Sequence, residues 1–182
     1  VHTTVTAHED PDYQAVQNGA VMALPDGGPL SKYSRQQGYT NAARVTGPDL
    51  MKELLRQSAT KHYRHYFYGS TLDILRKKVE ENSPGAVIAG MYSPPFRPLS
   101  PEEDEEVVRR INEAKPDFVW VGLGAPKQER WMAVHEDRVQ ALMVGVGAAF
   151  DYEAGNIRRA PMWMQRHNLE WLYRLMQDPK RL

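Results

Sequence analysis

Two stretches constrain this chain more than any others: Val119-Trp120-Val121-Gly122-Leu123-Gly124 and Leu142-Met143-Val144-Gly145-Val146-Gly147. Each is a short apolar run that ends in Gly-x-Gly. A run of this length bounded by glycines fits a strand buried on both faces, the pattern of a parallel sheet with helices above and below. The Gly-x-Gly pairs then fall at the carboxyl ends of strands. Open α/β sheets bind ligands there, because glycines let backbone N–H groups approach a phosphate with no Cβ in the way. After the first pair, Pro126 can open a helix whose N-terminus favours an anion. Neither stretch completes the dinucleotide fingerprint, since Lys127 and Phe150 occupy the third glycine positions. As pattern alone, both turns are equally well plain strand-to-helix connections.

The same unit repeats along the chain. Residues 65–68 read as a strand ending at Gly69-Ser70, with Ser70 capping a helix over 72–81, and residues 86–91 read as the next strand. Ser100-Pro101-Glu102-Glu103 combines an N-cap, a proline at the first helical position and a capping-box glutamate. The acidic run 102–106 then answers to the helix dipole rather than to a metal. Central strands are expected over 118–122 and 141–147, joined by a helix around 128–134. Upstream, residues 1–6 suit a strand, 10–18 a short helix and 21–24 a brief apolar strand, while Thr46 caps a helical run over 50–58. The proline-rich segment 92–98 predicts an ordered loop over the sheet edge, a kind of loop that often closes over a ligand. From Met162 to Asp178 one amphipathic helix is predicted, with Leu169, Leu172, Tyr173 and Met176 in a core stripe and Arg166, Glu170 and Arg174 in a polar ladder. This βα rhythm predicts an α/β fold: a Rossmann-like sandwich with a mostly parallel sheet, right-handed crossovers and helices on both faces.

At 182 residues the chain is long enough for a single domain over 1–182 that buries roughly 70% of its unfolded surface. A formal net charge of zero gives no support for nucleic acid as a partner. The absence of cysteine excludes disulfides and thiolate metal sites and fits a reducing compartment. No stretch approaches the ~18 apolar residues of a membrane span, and no signal peptide precedes Val1, so a cytoplasmic protein is expected. Its last quarter is nevertheless basic and aromatic: Trp163 and Trp171 with Arg158, Arg159, Arg166, Arg174, Lys180 and Arg181 suit a membrane surface. A charged face over a soluble core explains Arg166 and Arg174 equally. The turn Pro25-Asp26-Gly27-Gly28-Pro29 holds Asp26 at a strand's end, as a turn former or as an acid with a task. Arg44, just ahead of the helix start at Thr46, is an anion ligand or a solvated surface residue.

Taken together, Pro25-Asp26-Gly27, Arg44-Val45-Thr46-Gly47, Gly122-Leu123-Gly124-Ala125-Pro126-Lys127-Gln128-Glu129, Gly145-Val146-Gly147-Ala148-Ala149-Phe150-Asp151 and Arg158-Arg159-Ala160-Pro161-Met162-Trp163-Met164 with Leu169-Glu170-Trp171-Leu172-Tyr173-Arg174-Leu175 closely resemble the WecG/TagA/CpsF glycosyltransferase family. The resemblance spans nearly the whole chain. It implies an inverting transfer of a sugar, commonly N-acetylmannosamine or its uronic acid, from a UDP-sugar donor to a polyprenyl-diphosphate-linked N-acetylglucosamine acceptor. It also implies work in cell-surface polymer synthesis, including exopolysaccharide, by a protein peripherally associated with the inner face of the bacterial plasma membrane. Asp26 matches the proposed general base, which takes a proton from the acceptor hydroxyl as it attacks the anomeric carbon. Arg44 and Gln128 match polar pocket residues, one offsetting diphosphate charge and the other bonding sugar hydroxyls. Gly145 and Gly147 would support the nucleotide diphosphate, and Asp151 would accept ribose or uracil hydrogen bonds. Gly69, Gly122, Gly124, Lys127, Arg158 and Arg159 complete the implied substrate-binding set.

No Asp-x-Asp, the usual sugar-nucleotide metal motif, is read here, so no metal and no cofactor is expected; backbone amides and basic side chains neutralise the charge instead. The resemblance further implies a short segment before Val1, with a Thr/Asn pair that lines the pocket, and a basic appendage beyond Leu182, so that 1–182 is expected to be an incomplete catalyst. A homo-oligomer is left open. Competing readings are a hexosyltransferase using another nucleotide sugar, such as UDP-glucose or GDP-mannose, and a non-catalytic nucleotide-binding scaffold. A nicotinamide oxidoreductase is disfavoured by the missing third glycines.

Overall fold

The structure, a computed structural model, describes residues 2–177. Strands β1 (Arg64–Gly69), β2 (Val87–Tyr92), β3 (Phe118–Gly122) and β4 (Leu142–Gly145) form one sheet in the order β2-β1-β3-β4, with every neighbouring pair parallel. Helices α5 (Leu72–Asn82), α6 (Pro101–Ala114) and α7 (Lys127–Val134) connect successive strands, so the α/β expectation holds. The chain steps outward from β1 to β2, then returns across β1 to lay β3 on its other side. That reversal opens a crevice between the carboxyl ends of β1 and β3, the place where open α/β sheets hold ligands.

Successive side chains alternate between the two faces. Phe67 and Trp120 pack with Met51 and Leu55 of α4 (Gly47–Lys61), Leu75 and Val79 of α5 and Phe150 of α8 (Ala149–Glu153). On the opposite face Tyr66, Tyr68, Val119 and Val121 meet Val107, Val108 and Ile111 of α6. Burial on both sides explains why β1 and β3 read as nearly unbroken apolar or aromatic runs. Residues 141–147 do not supply a second central strand. Their strand, β4, spans only Leu142–Gly145 and lies at the sheet edge, where it is half-buried.

The βα rhythm does not reach the first 63 residues, which are helical or irregular: α1 (His2–Glu9), α2 (Pro11–Gly19), α3 (Gly28–Gln36) and α4. The strand expected over 1–6 is helix from residue 2. The β-branched residues there have no strand to pair with, and helical hydrogen bonds such as Asp10 N–H to the Thr6 carbonyl satisfy the backbone instead. The strand expected over 21–24 is irregular and solvent-facing, with Val21 88% exposed. Asp26 therefore lies in a loop, not at a strand's end.

Helix starts follow the sequence more closely. Ser100 and Glu103 form a complete capping box with Pro101 in the first turn, and the Thr46 hydroxyl accepts the Asp49 N–H. Ser70 does not cap α5. Thr71 holds the N-cap position, in a left-handed conformation and without a side-chain cap. The single helix expected from Met162 is two helices, α9 (Met162–Arg166) and α10 (Glu170–Gln177). Leu169 N–H bonds the Met164 carbonyl and Asn168 N–H the Gln165 carbonyl, with Asn168 at φ 59°. This pair of bonds closes a helix around a left-handed residue, a position that asparagine tolerates. The break spoils both periodic readings: α10 has no buried residue, and no ion pair links Arg166 or Arg174 to Glu170 among the described residues. Asp178, Lys180 and Arg181, part of the expected helix and basic end, lie outside the described residues.

A chain of polar groups is buried between α4 and the sheet. His65 is fully buried, its Nδ1 accepting from the Trp120 indole at 3.0 Å and its Nε2 facing the Ser58 hydroxyl, which itself donates to the Leu54 carbonyl at 2.9 Å. With Nδ1 taken as an acceptor, only Nε2 carries a proton and the ring is neutral. Burial pushes its pKa down to about 4. The unfolded chain binds that proton more readily, so the contribution of His65 to stability is complete above about pH 6.5 and is lost as pH falls towards 4, about 3 kcal/mol in all. Urea unfolding between pH 7 and 4.5 should show this loss in the parent and a flatter pH dependence in His65→Gln. Equal slopes would show that His65 is not the group being titrated.

Candidate active site

At the crevice, Gly69 and Gly122 stand opposite each other at the tips of β1 and β3. The Phe150 ring packs so closely that a Cβ on Gly122 would lie 2.6 Å from it, so no larger residue fits at that strand tip. The turn after β3 carries Gly124 at φ 79° and the turn after β4 carries Gly147 at φ 53°. Gln128, in the first turn of α7, is buried. Its side-chain oxygen accepts the Gly147 N–H at 3.0 Å and its amide nitrogen donates to Glu129 at 2.8 Å. Gln128 thus clamps the two glycine turns together, a use of its amide different from the sugar contact that the resemblance implied, and it takes the Gly147 N–H that the resemblance implied for the nucleotide diphosphate. Gly145 lies under the same amide, where a Cβ would approach its nitrogen to 3.1 Å. Asp151 of α8 accepts from the Thr71 hydroxyl and the Asn156 amide, each at 3.3 Å, and so ties the turn after β1 to α8. These residues form one continuous rim. Lys127 is exposed on the neighbouring side, lining a cavity of about 600 Å³ with Tyr68, Trp131 and the proline-rich loop 94–98.

A charged cluster borders this rim. Arg44 Nε donates to the Asp26 backbone carbonyl at 2.6 Å, while its Nη2 pairs with the Glu170 carboxylate and lies 3.9 Å from that of Asp26. Arg159 pairs with Asp49, donates to the Gln165 side chain at 3.1 Å and lies 3.8 Å from Glu170. The Arg159 guanidinium holds the Asp49 carboxyl below its ordinary pKa. Asp26 shifts the other way. Its side chain keeps 71% of its surface open, yet protein crowding its inner side strips hydration, and this burial leads the upward shift; Arg44 opposes it and Glu170 adds to it. Tyr152, also raised by burial, stands at the edge of the cluster with the Arg174 guanidinium 5.7 Å above its ring. The two halves of the site meet where α4 begins, because Gly47 lies so close to Val146 that a Cβ would sit 3.0 Å from its carbonyl.

Of the expected basic residues, Arg158 alone among the three arginines stays outside the cluster: it is exposed, and its backbone carbonyl accepts from Gln177. The chain does contain one literal Asp-x-Asp, Asp10-Pro11-Asp12. It is spoken for, since Asp10 caps α2 and pairs with Arg130 while Asp12 sits in the first helical turn. Glu170, Gln165 and Tyr152 were not singled out as site residues by sequence. Glu170 read as the middle of an i, i+4 ladder, and only the break at Asn168 turns it towards Arg44.

A model of the glycosyl transferase WecG/TagA/CpsF family matches residues 1–182. The chain belongs to this family. Similar relatives include proteins of Bacillus subtilis and Bacillus spizizenii, each 36% identical over 181 residues, covering 96% of this chain and 68% of the relative. A Staphylococcus aureus protein is 33% identical over 174 residues, covering 93% of this chain and 66% of its own. All three are named N-acetylglucosaminyldiphosphoundecaprenol N-acetyl-beta-D-mannosaminyltransferase. The chain is therefore a glycosyltransferase, and among its described residues no helix is long and apolar enough to cross a membrane.

The electrostatics of the cluster can be read in the pH profile of this enzyme. kcat/KM follows the free enzyme's essential base, a role that the resemblance puts on Asp26. Glu170→Gln removes a negative neighbour and frees Arg44 at the same time, and both changes favour the ionised Asp26. The acidic limb of kcat/KM should move to lower pH. A limb that stays in place would show that the base is not coupled to Glu170.

Proposed function

We propose that this glycosyltransferase moves an N-acetylmannosamine-type sugar, with inversion, from a UDP-sugar to a polyprenyl-diphosphate-linked N-acetylglucosamine at the inner face of the plasma membrane. The observation that carries the reading is the identity of 33–36%, along nearly the whole chain, to enzymes named for that transfer. The cluster at Asp26 supports it chemically. Asp26 takes the proton from the acceptor hydroxyl as that oxygen bonds the anomeric carbon, and the bond from the anomeric carbon to the donor diphosphate breaks. UDP leaves with the electron pair. Arg44 and Arg159 offset the charge that develops, together with backbone N–H groups of the turn at Gly124. In this reading residues 1–182 form a single glycosyltransferase domain, with the donor at the strand tips of Gly69 and Gly122 and Asp151 beside its nucleoside.

Product analysis after incubation with candidate UDP-sugars and a lipid-diphosphate-N-acetylglucosamine acceptor tests the reading directly; a disaccharide built from another nucleotide sugar would reassign the donor. Asp26→Asn is expected to keep the fold and UDP binding while lowering kcat by about 10² to 10⁴, the range for losing a general base. Turnover within a few-fold of the parent would remove Asp26 from that role. Transfer and UDP binding are expected to persist in EDTA, because the basic and backbone groups of the site supply the positive potential. Activity that returns only with Mg²⁺ or Mn²⁺ would mean that a metal is required.

A further inference from the structure

We propose that a basic cavity beside Arg44 seats the diphosphate of the lipid acceptor, so that the helices around it face the bilayer; the inference rests on the acceptor class given above. The cavity has a volume of about 560 Å³. Lys32 and Arg35 of α3, Arg44 and Arg166 of α9 contribute four cations to its lining, and no carboxylate does. In a chain with 23 basic and 23 acidic residues, four cations around one cavity whose lining holds no carboxylate mark a place for an anion. Arg44 is paired with Glu170, and Arg35 donates to the Ala42 carbonyl at 2.7 Å. Lys32 and Arg166 have no ion pair among the described residues, so both are available to phosphate oxygens.

The fold builds this cavity from segments far apart in sequence. The turn between α9 and α10 lies directly on the start of α3: a Cβ on Gly28 would fall 1.6 Å from the Asn168 side-chain oxygen. Gly28 therefore lets Arg166 come up beside Lys32 and Arg35. The Gln165 carbonyl, one residue before Arg166, lies 3.5 Å from an Arg44 nitrogen, and Arg44 also holds the Asp26 loop. An anion in the cavity thus shares Arg44 with Asp26, the place to which an acceptor hydroxyl must come.

The surroundings favour the acceptor over the donor. Glycine turns at the strand ends offer the donor diphosphate backbone N–H groups, whereas this cavity lies off the sheet, between helices. Those helices expose large apolar side chains: Met162 and Trp163 on α9, the latter 59% exposed, and Tyr33 on α3. Cations interleaved with exposed aromatic residues are what an interfacial surface needs to hold a protein against anionic lipid. A lipid-linked diphosphate is reached from such a surface, and a UDP-sugar does not require it.

The test measures KM for a polyprenyl-diphosphate-N-acetylglucosamine acceptor and for the UDP-sugar in Lys32→Ala, Arg166→Ala and the double variant, with Lys77→Ala on α5 as a control for lost surface charge. Binding of farnesyl diphosphate, which lacks the sugar, and of UDP is measured by calorimetry on the same proteins. Each single change should raise the acceptor KM and the farnesyl diphosphate Kd about tenfold, the loss of roughly one charge-assisted contact. Donor KM and UDP binding should stay as in the parent. If the donor KM rises instead, or if neither KM differs from the Lys77→Ala control while transfer proceeds, the assignment of the cavity is wrong and the transferase reading stands. If the parent binds farnesyl diphosphate through Lys32 and Arg166 but transfers no sugar to the acceptor, the cavity stands and the acceptor reading falls.

Discussion

Arg44 is the point at which the site is assembled. Neither Asp26 nor Glu170 belongs to the sheet, and each is carried by a segment that the core does not hold tightly: one by an irregular loop, the other by a short half-buried helix. A single guanidinium reaches both, donating to the Asp26 backbone and pairing with Glu170. Its planar fork of donors makes this possible, because separate N–H groups leave it in fixed directions. A lysine would place one point charge among the same partners and could not orient them together. The ordered start of α4, with Thr46 as its cap, fixes where that guanidinium begins.

The division between sheet and cluster has a chemical counterpart. The sheet end offers backbone donors and little side chain, an arrangement suited to a diphosphate whose oxygens accept hydrogen bonds in many directions. The cluster offers paired charges and one carboxylate whose ionisation is held back by lost hydration. The base role proposed for Asp26 calls for that second environment, since a carboxylate of ordinary pKa at neutral pH has little drive to take a proton from a hydroxyl. Arg44 and Arg159 already have carboxylate partners, so a substrate phosphate entering here exchanges one anion for another instead of meeting bare cations. The exchange lowers the net gain from binding. It also keeps the cations positioned, so that less reorganisation is required when charge develops on the leaving group.

The buried polar chain from Leu54 through Ser58 and His65 to Trp120 belongs to neither part. It lies between α4 and the two central strands and joins the helix that carries Arg44's segment to the sheet that carries the glycine turns. Every member has a partner, which is the condition under which polar groups in a core add specificity without leaving an uncompensated cost.

Sequence alone determined the βα units from Arg64 onward, because the signals there are local: apolar runs that end in glycine, and the Ser100 capping box, whose partners lie within one helical turn. It also carried the family resemblance and most of the candidate site residues, since the motifs at Asp26, Arg44, Gly122 to Gln128 and Gly145 to Asp151 are contiguous. It misread residues 1–6 and 21–24, because β-branched and apolar composition measures suitability for a sheet and not whether a neighbouring strand exists. It misread the last helix, because helical spacing is blind to one left-handed residue, Asn168. The tertiary structure decided everything that depends on distance across the chain. It turned Glu170 towards Arg44, spent the Gln128 amide on Gly147, left Arg158 aside, and set Lys32 and Arg166 around one cavity. Charges more than 100 residues apart meet only after two cores have formed around a common sheet, so no local pattern can carry that information.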